Sequence, residues 1–507
     1  MKKRLSKKQM IIFAIGQLGW SILGGLIGAC LIKFFMPSAD DKAAGAITYI
    51  RSGLVIGGFL TILGLITALS RIFDAVTDPL IASLSDRSRN PKGRRMPFMK
   101  WAAIPFTAVT ILMFCIDFGE WGSKFAWLNI VWVSVMIVLF YLFMTMYCTP
   151  YNALISEFGQ NQEDRMFIST AISFTYLFGT ILAYTSYVGG PFLGGIVGNY
   201  AWGYRIWFIA LSVIACVCMF IPTFLLKERE FVESEPSNEN VMRSLTSTFK
   251  NKDFRVFSLS DIMYWVGLTT FQTGLPYFVT VSMRFGSGMT LVFMGGMMLL
   301  AAVFYPFVTN FVKKWGKKKL VIVGFAGLAI CYAIAAIASI PGVCPDQAMT
   351  VEQQKSFTGI ANAWSWVLGG GIMVISALPM ALLGIIPQSI IADVAEAEAV
   401  TTGQKREGMF FAARTFAMKF GQSLAMILFT SLAVAMPDAA STDEEVFPGK
   451  GGLILVAVAA VVFCLIGAVI LFFYREKKVM QTIAKEGDES FMRAIENEKD
   501  LGEEKAE

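Results

Sequence analysis

Apolar runs of membrane-crossing length, separated by short polar breaks, cover most of the chain. A helix rises 1.5 Å per residue, so about 20 apolar residues cross the roughly 30 Å hydrocarbon core of a bilayer. Such runs fall near 10–36, 53–85, 97–117, 125–156, 166–188 and 203–226, and, after the polar stretch Lys227 to Asp253, near 255–283, 288–312, 319–341, 360–394, 407–435 and 452–474. The pattern predicts an all-α polytopic membrane protein with twelve transmembrane helices. Residues 1–226 form an N-terminal bundle of six, 227–253 a cytoplasmic linker, 254–474 a C-terminal bundle of six, and 475–507 a charged, solvated cytoplasmic tail.

The second run breaks its own pattern. Its sequence RIFDAVTDPLIASLSDRSRNPKGRR, residues 71–95, carries Asp74 and Asp78 inside apolar surroundings and ends in a basic cluster. A spacing of four puts both carboxylates on one helix face, and Asp86 marks the helix end about 18 Å away, so the pair lies at mid-membrane depth. A charge there costs about 2.5–3.5 kcal/mol, and two neighbouring like charges cost more. The pair therefore requires a cation, a proton or a basic partner, which points to an ion-coupled transporter. Arg71 precedes Asp74 by three residues and can neutralise it locally. Lys419 lies twelve residues inside the run that opens at Glu407, at the same depth of about 18 Å but in the other bundle. It is either a structural brace between the bundles or the residue that links cation and substrate sites, and we expect the second.

Composition agrees with this class. The chain is 55% apolar and 16% charged, against roughly 25% charged in soluble domains. Most of its 43 Lys and Arg fall in the termini and in the loops after even-numbered runs, which places both termini in the cytoplasm of a cell-membrane protein. The net charge of +6 reflects that asymmetry and implies no nucleic-acid partner. Residues 1–8 are basic like a signal peptide, but the apolar run behind them is too long and lacks a small-residue cleavage site, so it reads as the first span. No histidine is present, which excludes a Ser/His/Asp triad, a His-containing zinc site and a histidine proton relay. The eight cysteines are scattered, only Cys344 in an external loop, and imply no disulfide framework. No GxxxxGK[ST] phosphate loop occurs, so the expected energy source is an ion gradient, with Na+ or H+ as coupling ion and no other cofactor. No catalytic constellation is visible, so an enzyme is not expected.

The loop SDRSRNPKGRR after the second run has a weaker counterpart, NFVKKWGKKK, six runs later. That echo suggests two parallel repeats with a substrate cavity between them at mid-membrane, worked by rocking of the halves.

Taken together, DAVTDP followed by DRSR and GRR, CTPYNALISEF with the DR behind it, ADVAEAE with TGQKREG, and the lysine of FAMKFG resemble the glycoside-pentoside-hexuronide:cation symporters of the major facilitator superfamily. The resemblance spans both halves. It implies that Asp74 and Asp78 bind Na+, Li+ or H+, joined by Thr145 on the fourth helix and with Thr77 beside the pair, and that Lys419 stands near both sites. Arg71, Asp86, Arg87 and Arg94 are the expected coupling and gating residues. The sugar ligands carry over poorly. Where melibiose-carrying members place two aspartates, an arginine and a tryptophan, this chain has Ser21, Cys148, Ser173 and Gly384. The remaining substrate candidates are Gln17, Trp20, Ser21, Tyr147, Cys148, Asn152, Thr415 and Lys419, with Arg414 nearby. Such a set suits a sugar, a hexuronide or a sulfonated sugar better than a galactoside held in the family's pose. Trp364 and Trp366 open the tenth run, where they stack on a ring or belong to the interfacial aromatic belt. Rival readings are a lysolipid transporter with the same cation site and a membrane sensor without net flux.

Overall fold

The computed structural model describes residues 4–483 except 52, 54, 55, 59, 87, 89, 160, 161, 232–247, 403–406, 443 and 444. Among the described residues, twelve helices reach twenty residues or more and no β-strand forms. In chain order they are α1 (Lys7–Phe35), α2 (Ile62–Asp86), α3 (Met96–Cys115), α4 (Leu128–Phe158), α5 (Gln162–Tyr184), α6 (Tyr200–Leu225), α7 (Lys252–Tyr277), α8 (Met289–Trp315), α9 (Lys317–Ala338), α10 (Ala363–Thr402), α11 (Glu407–Ala435) and α12 (Lys450–Phe472). The twelve expected spans are all present as helices, in an all-α polytopic membrane fold.

Ten of the twelve are long and apolar enough to cross a membrane on those grounds alone. The exceptions are α2 and α7. Arg71, Asp74 and Asp78 interrupt α2, while Asp261 and a run of hydroxyl and amide side chains dilute α7. Polar groups in a span are retained where they do something, so the two weakest spans mark the helices with the most chemistry. In α2 the usual pattern is inverted. Leu69, Ile72, Val76, Leu80 and Leu84 are exposed at helical spacing, whereas Thr67, Ser70, Asp74, Thr77 and Ser85 are buried. A helix with its apolar stripe outward and its polar stripe inward fits a surrounding of lipid rather than water.

The two halves pack in the same way. In the first, α1 lies against α5 and α6, α2 against α4, and α3 against α4 and α6; in the second, α7 lies against α11 and α12, α8 against α10, and α9 against α10 and α12. Between the halves, α2 packs on α11 and α5 on α8, again a symmetric pair, with α1 touching α7. The repeat suspected from two loops therefore extends through the whole fold.

The loop echo has a structural basis. Gly93, at φ 133°, precedes α3, and the Glu228 carboxylate accepts from the backbone N–H groups of Arg94, Arg95 and Met96. Gly316, at φ 80°, precedes α9, and Glu476 accepts from the N–H groups of Lys317 and Lys318. In each case a carboxylate from beyond the sixth helix of the half caps the third. The capping places Glu228 and Phe231, both buried, on the N-terminal bundle, although the sequence assigns them to the linker. Arg475 and Glu476 likewise hold to the C-terminal bundle.

Candidate functional site

The inward face of α2 brings Asp74 and Asp78 against α4 and α11. Thr145 Oγ1 lies 2.7 Å from Asp74 Oδ1 and 3.0 Å from Asp78 Oδ1, so its single proton can serve one carboxylate at a time. Lys419, from the other half, sends its Nζ between them, 2.8 Å from Asp74 Oδ2 and 2.6 Å from Asp78 Oδ2. The same ammonium donates to the Asp74 carbonyl oxygen at 3.2 Å. Asp74 is fully buried and Lys419 nearly so, while the Asp78 side chain keeps 25% exposure. The path to the pair thus runs past Asp78.

Arg71 Nη1 stands 3.8 Å from Asp74 Oδ2 and its guanidinium lies 4.4 Å from the ring centre of Tyr141. It neutralises part of the site without filling it. Asp74 Oδ2 receives no well-aligned hydrogen bond and is held by charge, from Lys419 at 2.8 Å and Arg71 at 3.8 Å. Two carboxylates and a hydroxyl form a hard oxygen set of the kind that takes a small monovalent cation or a proton. Thr149, which the sequence reading did not single out, places Oγ1 3.5 Å from Asp78 Oδ1. Its signal is its position, one turn beyond Thr145 on the same face of α4.

Not every candidate points this way. The Thr77 hydroxyl donates back to the Asp74 carbonyl at 3.1 Å rather than facing the carboxylates. This is the ordinary bond of a threonine inside a helix. Tyr147 is completely buried and donates to the Met219 carbonyl of α6. That turns it into the core of the N-terminal half, where Gly16 leaves room for its hydroxyl, so that hydroxyl is unavailable to a ligand between the halves. Gln17 Nε2 donates to Ser21 Oγ at 3.0 Å, both side chains being buried on α1. Cys148 is buried beside the acidic pair, Asn152 is exposed, and Thr415 bonds back to the Phe411 carbonyl. Trp20 carries a buried indole N–H with no partner. Arg414 is held by Asp261 of α7 at 3.0 Å, a second intramembrane ion pair. The rule that picked out Asp74 and Lys419 would also have picked out Asp261. Arg94 pairs with Glu157 at 2.7 Å near the end of α4, and in the other half Lys317 pairs with Asp393 at 2.5 Å. Arg87 and the Asp86 side chain lie outside the described residues. Trp364 and Trp366 are exposed at the start of α10.

At the end of the bundle opposite the termini, polar links join the halves. Asp40 pairs with Arg284 and accepts from the Met349 N–H; Asp41 is bound by Lys33 at 2.5 Å and by Gln354 at 2.8 Å; Lys42 pairs with Glu445 at 2.6 Å. Lys33 also donates to Thr280 in the single π-helical turn that ends α7. At the end carrying the termini, the ion pairs among described residues, such as Arg94 with Glu157 and Lys317 with Asp393, stay within one half. Among the described residues, the polar links between the halves thus lie at the far end and along α2 and α11, at Lys419 and at Ser423, which donates to the Ala68 carbonyl at 3.0 Å. Burial pushes the Asp40 carboxyl above its ordinary value, more than Arg284 and the Met349 N–H pull it back. For Asp41 the burial is outweighed by the Lys33 charge and by hydrogen bonds from Lys33 and Ser38, and its carboxyl is held below the ordinary value.

Comparison with known proteins gives a family model described as MFS/sugar transport protein, which matches residues 54–477. An isoprimeverose transporter of Lactiplantibacillus pentosus is 24% identical over 53% of this chain and 55% of its own length, so the match spans about half of that relative. An uncharacterized symporter of Bacillus subtilis, YjmB, is 24% identical over 94% of this chain and 93% of its own. Among solved structures, a point mutant of the nucleoside transporter NupG superposes with a TM-score of 0.62 at 11% identity, covering 92% of this chain and 98% of that one. At that identity the likeness concerns the fold.

Proposed function

The chain belongs to the MFS/sugar transport protein family, and from that premise we propose that it is a symporter that couples Na+ or H+ to the uptake of a sugar, glycoside or sugar acid by alternating access. It is placed in the cell membrane with both termini cytoplasmic, as the distribution of its basic residues favours. One observation carries the reading. Lys419 of the C-terminal half occupies, at ion-pair distance, the space between Asp74 and Asp78 of the N-terminal half. An ammonium and an incoming cation would compete for the same carboxylate oxygens. When the cation enters past Asp78, Lys419 loses its partners and α11 is released from α2, so ion occupancy changes the relative stability of the two arrangements of the halves.

The ligands in this scheme are Asp74, Asp78 and Thr145, the two Oδ2 atoms becoming available as Lys419 withdraws. With the termini cytoplasmic, the fastened far end is the external one, and the described arrangement is closed to the outside. The substrate class is supported by the family description and by the names of the relatives. The positions of the family's sugar-binding carboxylates are Ser21, already accepting from Gln17, and Cys148, which argues against a galactoside in the family's pose. The partnerless Trp20 indole N–H and Gln422 Oε1 are polar groups that a hydroxylated ligand could satisfy.

The test is a thermal-shift screen of the purified protein across sugars, glycosides and hexuronides, each with and without Na+ and at two pH values. A ligand whose stabilisation requires the ion identifies both partners. Asp74→Asn and Asp78→Asn should each abolish the ion dependence while leaving a folded protein. Ion dependence retained in both variants would remove the cation from this site.

A further inference from the structure

A groove on the outer wall of the N-terminal half, away from the interface between the halves, takes no part in this cycle. It lies between the start of α3 and the end of α6 and has a volume of about 1160 Å³. We propose that it binds the headgroup of an anionic phospholipid from the leaflet that faces the termini. The proposal does not depend on the transport reading.

Two features on different sides of the groove meet in this ligand. The first is charge. Lys92, Lys100, Lys227 and Arg229 line the groove, and the acidic residue among its lining, Glu230, is engaged by Lys227 at 3.4 Å. Lys92 and Lys100 are exposed and have no carboxylate partner among the described residues. Arg229 donates only to the Asn90 carbonyl, which fixes it at the rim. Among the described residues, three positive charges are left without a carboxylate partner.

The second feature is the wall beneath them. Trp101 is 79% exposed, Ile104 62% and Phe224 62%, all on the outward faces of membrane helices. Lys100 connects the two regions, its ammonium 4.1 Å from the ring centre of Phe224 and its stem along the apolar wall, as a lysine does at a membrane boundary. A free inorganic anion would use the cations and gain nothing from the wall. A zwitterionic lipid would use the wall and leave the charge excess unmatched. An anionic phospholipid satisfies both, with its phosphate at the cations and the upper part of its chains against Trp101 and Phe224, in the leaflet where basic residues near the surface each strengthen binding about fivefold.

The full-length protein in detergent can be titrated with phosphatidylglycerol, phosphatidylcholine or inorganic phosphate and read by native mass spectrometry. We expect bound phosphatidylglycerol to exceed phosphatidylcholine at least about tenfold, with no competition from inorganic phosphate. The variant K92Q/K100Q/K227Q/R229Q should lose that preference. K313Q/K314Q/K477Q/K478Q, with equal charge loss on the other half, should keep it. Equal loss in both variants, an unchanged preference in the first, or displacement by inorganic phosphate would overturn the proposal. A second measurement leaves the cations intact: in nanodiscs, brominated phosphatidylglycerol should quench the Trp101 component of fluorescence, obtained by subtracting the Trp101→Phe spectrum, more than the same fraction of brominated phosphatidylcholine. Equal quenching by the two lipids would count equally against it.

Discussion

Lys419 and a bound cation draw on the same two carboxylates, so removing the lysine should have effects of opposite sign on binding and on coupling. Without it, Asp74 and Asp78 keep Arg71 at 3.8 Å as their remaining cationic neighbour, and an ion no longer has a competitor. Lys419→Ala is expected to bind Na+ or H+ several-fold more tightly, while the ion ceases to improve substrate affinity and concentrative transport is lost. Calorimetric titration of the ion, with and without substrate, checks both. A variant that binds the ion as before and still couples would make Lys419 a bystander. Thr145 makes a finer distinction. Thr145→Val should weaken Na+ by about tenfold, the value of one lost oxygen ligand to a charge, and weaken a proton less, since a proton needs no further ligand. Equal losses for the two ions would remove Thr145 from the coordination set. Asp74, Asp78 and Lys419 were legible in the sequence because a charge in hydrocarbon is expensive and therefore conspicuous, whereas Thr145 was legible only through the family resemblance. The orientations of Thr77 and Tyr147 were not, since a hydroxyl on the correct face can still find a nearer acceptor in its own helix or the next one.

The helix caps permit a comparison at the scale of elements. A Cβ on Gly93 would come within 2.3 Å of Glu228 Oε2, at a φ of 133° that side chains rarely adopt, whereas on Gly316 it would approach Glu476 no closer than 3.3 Å. Gly93→Ala is therefore expected to destabilise the protein by about 2–3 kcal/mol, combining steric displacement of the cap with backbone strain. Gly316→Ala should cost about 1–2 kcal/mol, from its positive-φ extended backbone (φ 80°, ψ 161°) alone. Unfolding of the two variants in parallel checks the ranking, and an equal loss would mean that the carboxylate moves aside without cost. The glycine of the GRR motif was visible as part of a family pattern, but its reason was not. Glu228 lies far along the chain in what reads as linker, and only the fold shows that it caps α3. The same limit applies to α7. It was legible as a span, but the reason for its polar residue was not: Asp261 is buried against Arg414 of α11 and belongs to the packing between two helices.

At the scale of the whole molecule, the latch at the end opposite the termini is the part least readable from sequence, because Asp40 lies 244 positions from Arg284 and Asp41 lies 313 from Gln354, and they meet only in the folded chain. Its energetics still follow from simple charges. Arg284→Gln would leave Asp40 buried without a counter-charge, at a cost of several kcal/mol to the closed arrangement, and that end should open more often. Cys30 is a suitable reporter. It is buried on α1 beside the small cavity that Lys33 and Asp41 also line. In a background where Cys30 is the only cysteine, Arg284→Gln should increase its labelling by an impermeant thiol reagent about tenfold or more. The pH dependence has a definite sign. A carboxyl whose pKa is raised in the closed state takes up its proton more readily there than in the open state, where it meets water. Mild acidification, between the ordinary carboxylate range and the raised value of Asp40, therefore favours closure. Asp41, held below the ordinary range, contributes in the opposite sense, and its stabilisation is lost only as pH falls below that range. The other ionisable groups in and around the latch, Lys33, Lys42, Tyr200, Arg284, Asp346, Glu445 and Lys450, include no histidine to titrate near neutrality. Cys30 labelling, normalised to the thiolate fraction of a free thiol, should thus slow on mild acidification, and that part of the response should disappear in Asp40→Asn. Labelling that speeds up with acid, or a response unchanged in the variant, would show that Asp40 does not set the external equilibrium.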